Sequence, residues 1–573
     1  MKQHELADLF EQTADLLEFR GENPFRVRAY RRAARSLEGL GGDLAGLGEE
    51  EIRAIPGIGA DLAGKIAEFT STGKVKTLEA LRRGVPPGVL DLLGVPGLGP
   101  KTVKLLHEKL RIDSPSKLEE AARAGRLRGL PGIQAKKEAR ILKGLEMAGR
   151  AGERMHLGLA LPMALEMVRF LQGVKAVSRV SFAGSLRRMC ETIGDVDLLA
   201  ASRRPGRVME AFLGSAFASR TLAAGPTKSS IVTKAGIQVD LRVVAPDSFG
   251  AALQYFTGSK EHNVRLRERA ARQGKKVNEY GVFASGTNTR LAGREEEDVY
   301  KALGLAWIPP ELREDHGEIE LAMRRRLPEL VEAKDVAGDF HVHTAWSDGR
   351  DSLEAMAEGG RARGYAYMAI CDHSRSLTVA HGLSVDRLRS QRKDIDAWNR
   401  RKRGPVLLQG GEVDVLADGS MDYPDDVLAE LDVVIASIHT GFTQPRERLT
   451  ERLIRAAEHP AVTILGHPTG RLLGQRDAYD VDLEAVLRAA KRTGTAIEIN
   501  GSPTRLDLSD GWARRARELG VTLVLSTDSH SVDQLGHIDF ALGVARRAGV
   551  PPSGLLNCRR LNALRSWIAK KRR

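Results

Sequence analysis

From residue 339 onward, short apolar runs alternate with helical stretches, and run after run ends in a histidine or a carboxylate. The runs include "YMAICDHS", "DVVIASIHT", "VTILGHP", "AIEINGS" and "TLVLSTDSH". Strands alternating with helices in this way imply parallel βα units. In a barrel of such units the loops that follow the strands converge on one rim. In "DFHVHTAWSDG", His341 and His343 alternate and so share one face of a strand, with Asp348 following in a turn. His373, Glu412, His439, His467, Asp528 and His530 close later runs. A lone histidine is usually a satisfied core or surface residue. Nine such groups at successive strand ends are expected to gather as a metal site.

The whole chain has 573 residues, more than one core accommodates, so two to five domains are expected. No apolar run approaches the ~20 residues a membrane helix needs. The N-terminus, "MKQHELADLFEQTADLLEF", reads as an amphipathic helix without the apolar centre of a signal peptide. Cys190, Cys371 and Cys558 form no spaced motif and read as free thiols of a reducing cytoplasm. The net charge of +13 is uneven: residues 1–315 hold 50 Lys and Arg against 39 Asp and Glu, and the remainder holds 38 against 36. A basic first part is what phosphate binding with counterion release would favour. The histidines are distributed the other way, nine of fourteen lying beyond residue 340.

Residues 1–150 are helical in pattern and carry three related turns, "IPGIGADLAGKI", "GVPGLGPKTVKLL" and "GLPGIQAKKEARIL". In the first two, Gly57, Gly59, Gly97 and Gly99 leave backbone amides free to point outward at a helix start. Such amides bind phosphate without reading the base. The third has Gln134 at the second glycine position. The repeat resembles the helix-hairpin-helix motif of DNA repair proteins.

Within "FAGSLRRMCETIGDVDLLAAS", Asp195 and Asp197 are one residue apart on a strand-like run, so both face one way. Asp240, in "IQVDLRVV", offers a third carboxylate. Three acids in that arrangement suit two Mg²⁺ about 4 Å apart, the clamp of an in-line phosphoryl displacement. Gly184 and Ser185 open a turn ahead of them, and Arg187 and Arg188 supply cations for a triphosphate.

This set resembles the nucleotidyltransferase superfamily. Farther on, "YFTGSKEHNVRLRERA" and "VNEYGVF" resemble the thumb of family X DNA polymerases. That resemblance implies that Tyr255, Phe256, Gly258 and Ser259 lie against the incoming sugar, and that Asn263 meets the incoming base. It implies a primer-phosphate contact for Lys228, in "GPTKSS", and places Lys260 beside the triphosphate, where this chain departs from animal members. It marks Lys65, in the helix after the first hairpin, and Tyr30, in "RAYRRAA", as 5′-phosphate contacts. Lys65 is also where lyase-active members form a Schiff base, a role that Asp61 would oppose.

The nine rim residues resemble the PHP (polymerase and histidinol phosphatase) domain, which implies a distorted (β/α)7 barrel and a trinuclear centre. Mixed imidazole and carboxylate ligands suit Mn²⁺ or Zn²⁺ better than Mg²⁺. Asp372, His381, Arg471 and Arg476 are expected nearby as supporting or phosphate contacts.

The expected architecture is multidomain. Helix-hairpin-helix domains span 1–85 and 86–150, and an α+β nucleotidyltransferase palm (151–250) and thumb (251–315) follow. A charged helical linker (316–338) then leads to the PHP barrel (339–573). This order resembles the bacterial and archaeal PolX family, which implies a monomeric DNA polymerase that fills short gaps, with a metal-dependent 3′→5′ exonuclease. Its expected partners are gapped or primed double-stranded DNA and deoxynucleoside triphosphates. The alternative is a DNA end-processing or abasic-site phosphoesterase whose polymerase part mainly binds DNA.

Overall fold

The computed structural model describes residues 2–38, 52–53, 58–72, 75–83, 85–93, 95, 98–131, 133, 137–138, 141–142, 145 and 154–572. They form two units, one of residues 1–152 with the short stretches Asp348–Asp351 and Gly474–Arg476, the other of the remainder.

The first unit is helical. Its helices include Lys2–Arg20, Pro24–Glu38, Ala60–Thr72, Pro100–Leu110 and Pro115–Arg123. Proline begins three of these because its fixed φ suits a helix start and its missing N–H has no partner there anyway. The core gathers Leu6, Phe10, Leu17, Ile66, Val103 and Leu118, with Phe10 edge-on to Tyr30 at 5.4 Å between ring centroids.

In the second unit, five strands form the palm sheet: β1 (Arg179–Phe182), β2 (Asp195–Ala201), β3 (Ala218–Ala224), β4 (Lys228–Thr233) and β5 (Gln238–Val244). Their spatial order is β1-β2-β5-β4-β3, and β2 and β5 run parallel with Asp197 opposite Asp240. The thumb follows with helices Phe249–Thr257 and Lys260–Arg272 and a three-stranded antiparallel sheet.

Residues 316–338 are α-helical only over Glu318–Met323, and Pro328 lies in the irregular stretch beyond. The helix is not a free linker. Ile319 and Ala322 are buried in the thumb core beside Leu266, Tyr300 and Ile308.

Palm and thumb are joined by a buried carboxylate. Glu296 accepts from Arg187 at 2.7 and 2.8 Å, from Arg313 at 2.7 Å and from Trp307 at 3.1 Å. Burial by itself would raise its pKa, but Arg313 and Arg187 more than offset that and hold it down to about 2. The folded value lies below the unfolded one, so the stability it contributes is present above the unfolded pKa and is lost as pH falls through the folded value. Glu296→Gln should therefore cost about 3 kcal/mol near neutrality. The difference from wild type should shrink once pH drops below about 4.5. Urea unfolding of both proteins across that range checks it; a pH-independent difference would refute the assignment.

The barrel is built from β6 (Gly338–Val342), β7 (Tyr367–Ile370), β8 (Val406–Asp414), β9 (Val433–Ser437), β10 (Ile464–Leu465), β11 (Ala496–Asn500) and β12 (Leu523–Ser526). All seven are parallel and lie side by side in chain order. The ring is nearly closed: just beyond the ends of β6 and β12, His343 N–H donates to the Ser529 carbonyl at 2.8 Å.

Candidate active sites

In the palm, the two-residue period of β2 turns Asp195 and Asp197 to one face, and the parallel register brings Asp240 beside Asp197. Asp240 is paired with Lys228 at 2.9 Å and accepts from Gln238 at 2.8 Å. Burial, with the neighbouring charges of Asp195 and Asp240, pushes Asp197 up to about 7. Carboxylates so arranged repel one another, and a cation between them relieves both costs. Gly184 is at φ +60, and a Cβ there would collide with the Asp197 carboxylate. Only glycine brings that turn so close to the acids.

The turn's two arginines are engaged within the protein. Arg187 is paired with Glu296, while Arg188 donates to Glu314 at 2.9 Å and to the Thr257 carbonyl at 2.6 Å. Tyr255 and Phe256 meet edge to face at 5.2 Å, and Arg242 lies over the Phe256 ring at 4.4 Å. Gly258, at φ +72, turns the chain into Ser259, whose hydroxyl caps the next helix by accepting from His262 N at 3.2 Å. Asn263 donates to the Tyr255 carbonyl and accepts from Gln254, both at 2.7 Å, and so fixes the turn from below. Lys260 is exposed at that helix's start. His262 is buried between Glu318, at 2.6 Å, and the Tyr300 hydroxyl, at 3.1 Å.

In the first unit, Gly59 and Gly99 sit at helix starts, where their carbonyls accept from Ala63 N and Thr102 N at 2.9 and 2.8 Å. Gly57, Gly97 and Gln134 lie outside the described residues. Lys65 is paired with Asp61 and stands 5.9 Å above the ring of Tyr30, which is buried.

On the barrel rim the nine ligand candidates come together. Three overlapping groups bring potential ligand atoms within 4.8 Å of one another: His343, Asp348, His373 and His530; His341, His343 and Asp528; His373, Glu412 and His439. Glu412 is central, with imidazole nitrogens of His467, His373, His439, His341 and His343 at 2.7, 2.9, 3.2, 3.4 and 3.6 Å. Burial would raise its pKa, but His439, His373 and His341 hold it well below the carboxylate range. For His343, burial with His530 and His373 lowers the pKa to about 3, so it is a neutral imidazole with a lone pair to give. Asp528 (φ 54) and His467 (φ 24) both take left-handed backbone, a strain typical of functional sites.

Three supporting residues escaped the sequence reading. Glu498 accepts from His341 Nδ1–H at 2.7 Å, Asp414 from His439 Nδ1–H at 2.5 Å, and Arg505 pairs with Asp528 at 3.2 Å. Such partners fix the tautomer and aim of a ligand. Asp414 was findable, being two residues beyond Glu412 on one strand face. Asp372 is a buried acceptor for Thr344 and Gln391, at 2.7 and 2.6 Å. His381 is exposed, Arg476 is half-buried, and Arg471 donates to the Arg505 carbonyl at 2.9 Å.

The sequence matches the DNA polymerase beta thumb family over residues 252–314 and the PHP domain family over 339–502. It matches a helix-hairpin-helix domain over 1–75 and a SAM-like helix-hairpin-helix tandem over 89–147. It is 38% identical over 572 residues to the DNA polymerase/3'-5' exonuclease PolX of Bacillus subtilis (strain 168), covering 100% of both chains. Probable phosphatases of Thermoanaerobacter sp. (strain X514) and Shewanella sp. (strain MR-4) are 30% and 31% identical over 41% of this chain and 95% and 91% of their own lengths. With a full-length relative, a thumb and a PHP domain in one order, the chain belongs to the PolX family of family X DNA polymerases that carry a PHP domain.

Proposed function

We propose that the chain fills short gaps in DNA as a DNA-directed DNA polymerase and, at a separate site, removes nucleotides in the 3′→5′ direction. The first assignment is carried by Asp197 beside Asp240, with Asp197 pushed up to about 7. Asp195, Asp197 and Asp240 hold two Mg²⁺, while Gly184, Ser185 and Arg188 receive the triphosphate of a deoxynucleotide. Tyr255, Phe256, Gly258 and Ser259 shape the sugar subsite, and Asn263 holds that wall in place through the Tyr255 carbonyl. Lys260 stands at the triphosphate end. Gly57, Gly59, Gly97, Gly99, Tyr30 and Lys65 serve the DNA backbone, and Lys228 the primer phosphate.

On the barrel rim the donor set of buried imidazoles and carboxylates fits Mn²⁺ or Zn²⁺, three ions in all. Ions held there would supply Lewis acidity for hydrolysis of a phosphate ester. Glu498 and Asp414 keep His341 and His439 in the tautomer that presents Nε2 to the cluster. No helix among the described residues is long and apolar enough to cross a membrane. Free thiols at Cys190, Cys371 and Cys558 suit a reducing cytoplasm.

The similarity of the barrel to proteins named probable phosphatases favours a second reading, in which this site removes terminal phosphates or acts at abasic sites. Two measurements separate the readings. Extension should be faster across a short gap with a 5′-phosphate than on an open primer; equal rates would remove the gap-filling assignment. Incubation of a 3′-hydroxyl strand with Mn²⁺ should release mononucleotides. Release of only inorganic phosphate, from a 3′-phosphorylated strand, would establish the second reading instead.

A further inference from the structure

The palm segment that follows the nucleotide turn is held by the barrel. Gly184–Arg187 form one helical turn, closed by Cys190 N–H donating to the Ser185 carbonyl at 3.0 Å and by Met189 at φ 56. A non-glycine residue keeps a left-handed backbone only where its surroundings over-determine it. Part of that determination comes from the barrel helix Ile538–Arg547. Met189 packs onto Gly543, where an added Cβ would lie 2.7 Å from the Met189 Cε. Four residues on, Arg547 donates to the Arg188 carbonyl at 2.7 Å. From the loop after His467, Arg471 donates to Glu191 at 2.8 Å.

Arg547 does more than hold a carbonyl. It also donates to Glu314 Oε1 at 2.8 Å, the oxygen that Arg188 Nε reaches at 2.9 Å. Glu314 is mostly buried, with 18% of its side chain exposed, so it needs a cation at all times. With two cations it keeps one when the other leaves. Arg547 is itself anchored by Asp510 at 3.0 Å.

We infer that Arg547, in the barrel, is a positioning residue for nucleotide addition in the palm: it neutralises Glu314 so that Arg188 can exchange that carboxylate for the triphosphate. The inference rests on the proposed reading of the palm. The C-terminal domain then serves the polymerase reaction through its own fold, independently of its metal chemistry.

The test is steady-state extension of a primed template by the full-length chain. Arg547→Ala should raise the KM for the deoxynucleotide by about tenfold with a smaller change in kcat, because Arg188 becomes the remaining cation of Glu314. Adding Glu314→Gln to that variant should bring KM most of the way back, since a neutral side chain no longer retains Arg188. Arg546→Ala is the control: it loses contacts of the same helix, to Glu311 at 2.6 Å and to the Val331 carbonyl at 2.9 Å, and KM should stay unchanged. Arg547→Gln carries the same expectation if the alanine variant does not fold. A KM within about twofold of wild type would overturn the inference. So would an equal rise in Arg546→Ala, or no recovery with Glu314→Gln. Asp197→Ala is run alongside: extension by that variant would sink the polymerase reading itself, whatever Arg547 does.

Discussion

Replacing Asp197 by alanine is expected to lower primer extension by about 10³-fold or more while leaving degradation of the same strand nearly unchanged. Asp197 lies two residues from Asp195 on one strand and opposite Asp240 on its parallel neighbour. Its loss leaves two acids without the carboxylate they flank, and neither neighbour can reach into its position from a fixed β register. The fold should survive. Burial and two like charges already make an ionised Asp197 costly without metal, so the apo protein gives up little on losing it. Thermal unfolding without metal should show an equal or higher midpoint. Loss of both reactions together would mean that the two sites are not separate.

Glu412→Gln is expected to do the reverse. The nuclease rate should fall by at least about 10²-fold, the scale on which even outer partners of a metal ligand matter. Extension should persist. Five imidazole nitrogens lie within 3.6 Å of this carboxylate. The amide has nearly the same shape but no charge, and its NH₂ group faces nitrogens that need an acceptor or a metal. Elemental analysis should show fewer bound ions per chain. Full occupancy with unimpaired degradation would remove Glu412 from the centre.

The barrel rim was legible because its chemistry is written at the ends of apolar runs, where a histidine has no packing reason to be. Glu498 was not, because a single acid inside "AIEIN" looks like any strand residue. Its meaning lies in His341, 157 positions away. The palm acids were visible as strand residues, but nothing local sets the register that faces Asp197 with Asp240. Arg187 and Arg188 read as cations for a triphosphate. Their carboxylates, Glu296 and Glu314, are 109 and 126 residues downstream, and ion pairs at that range leave no local trace. The charge pattern of 316–338 likewise suggested a helical linker, whereas two of its apolar residues complete the thumb core.

The strand order of the barrel bears on how the chain is made. Because β6 to β12 neighbour one another in sequence order, each new strand finds its partner already in place as the chain is synthesised. The closing contact, from His343 to Ser529, is the exception, a long-range step that waits for the final strand. Asp528 and His530 arrive with that strand. A partly synthesised chain thus carries most of the candidate rim ligands on an open sheet, and the cluster is completed only with the last strand.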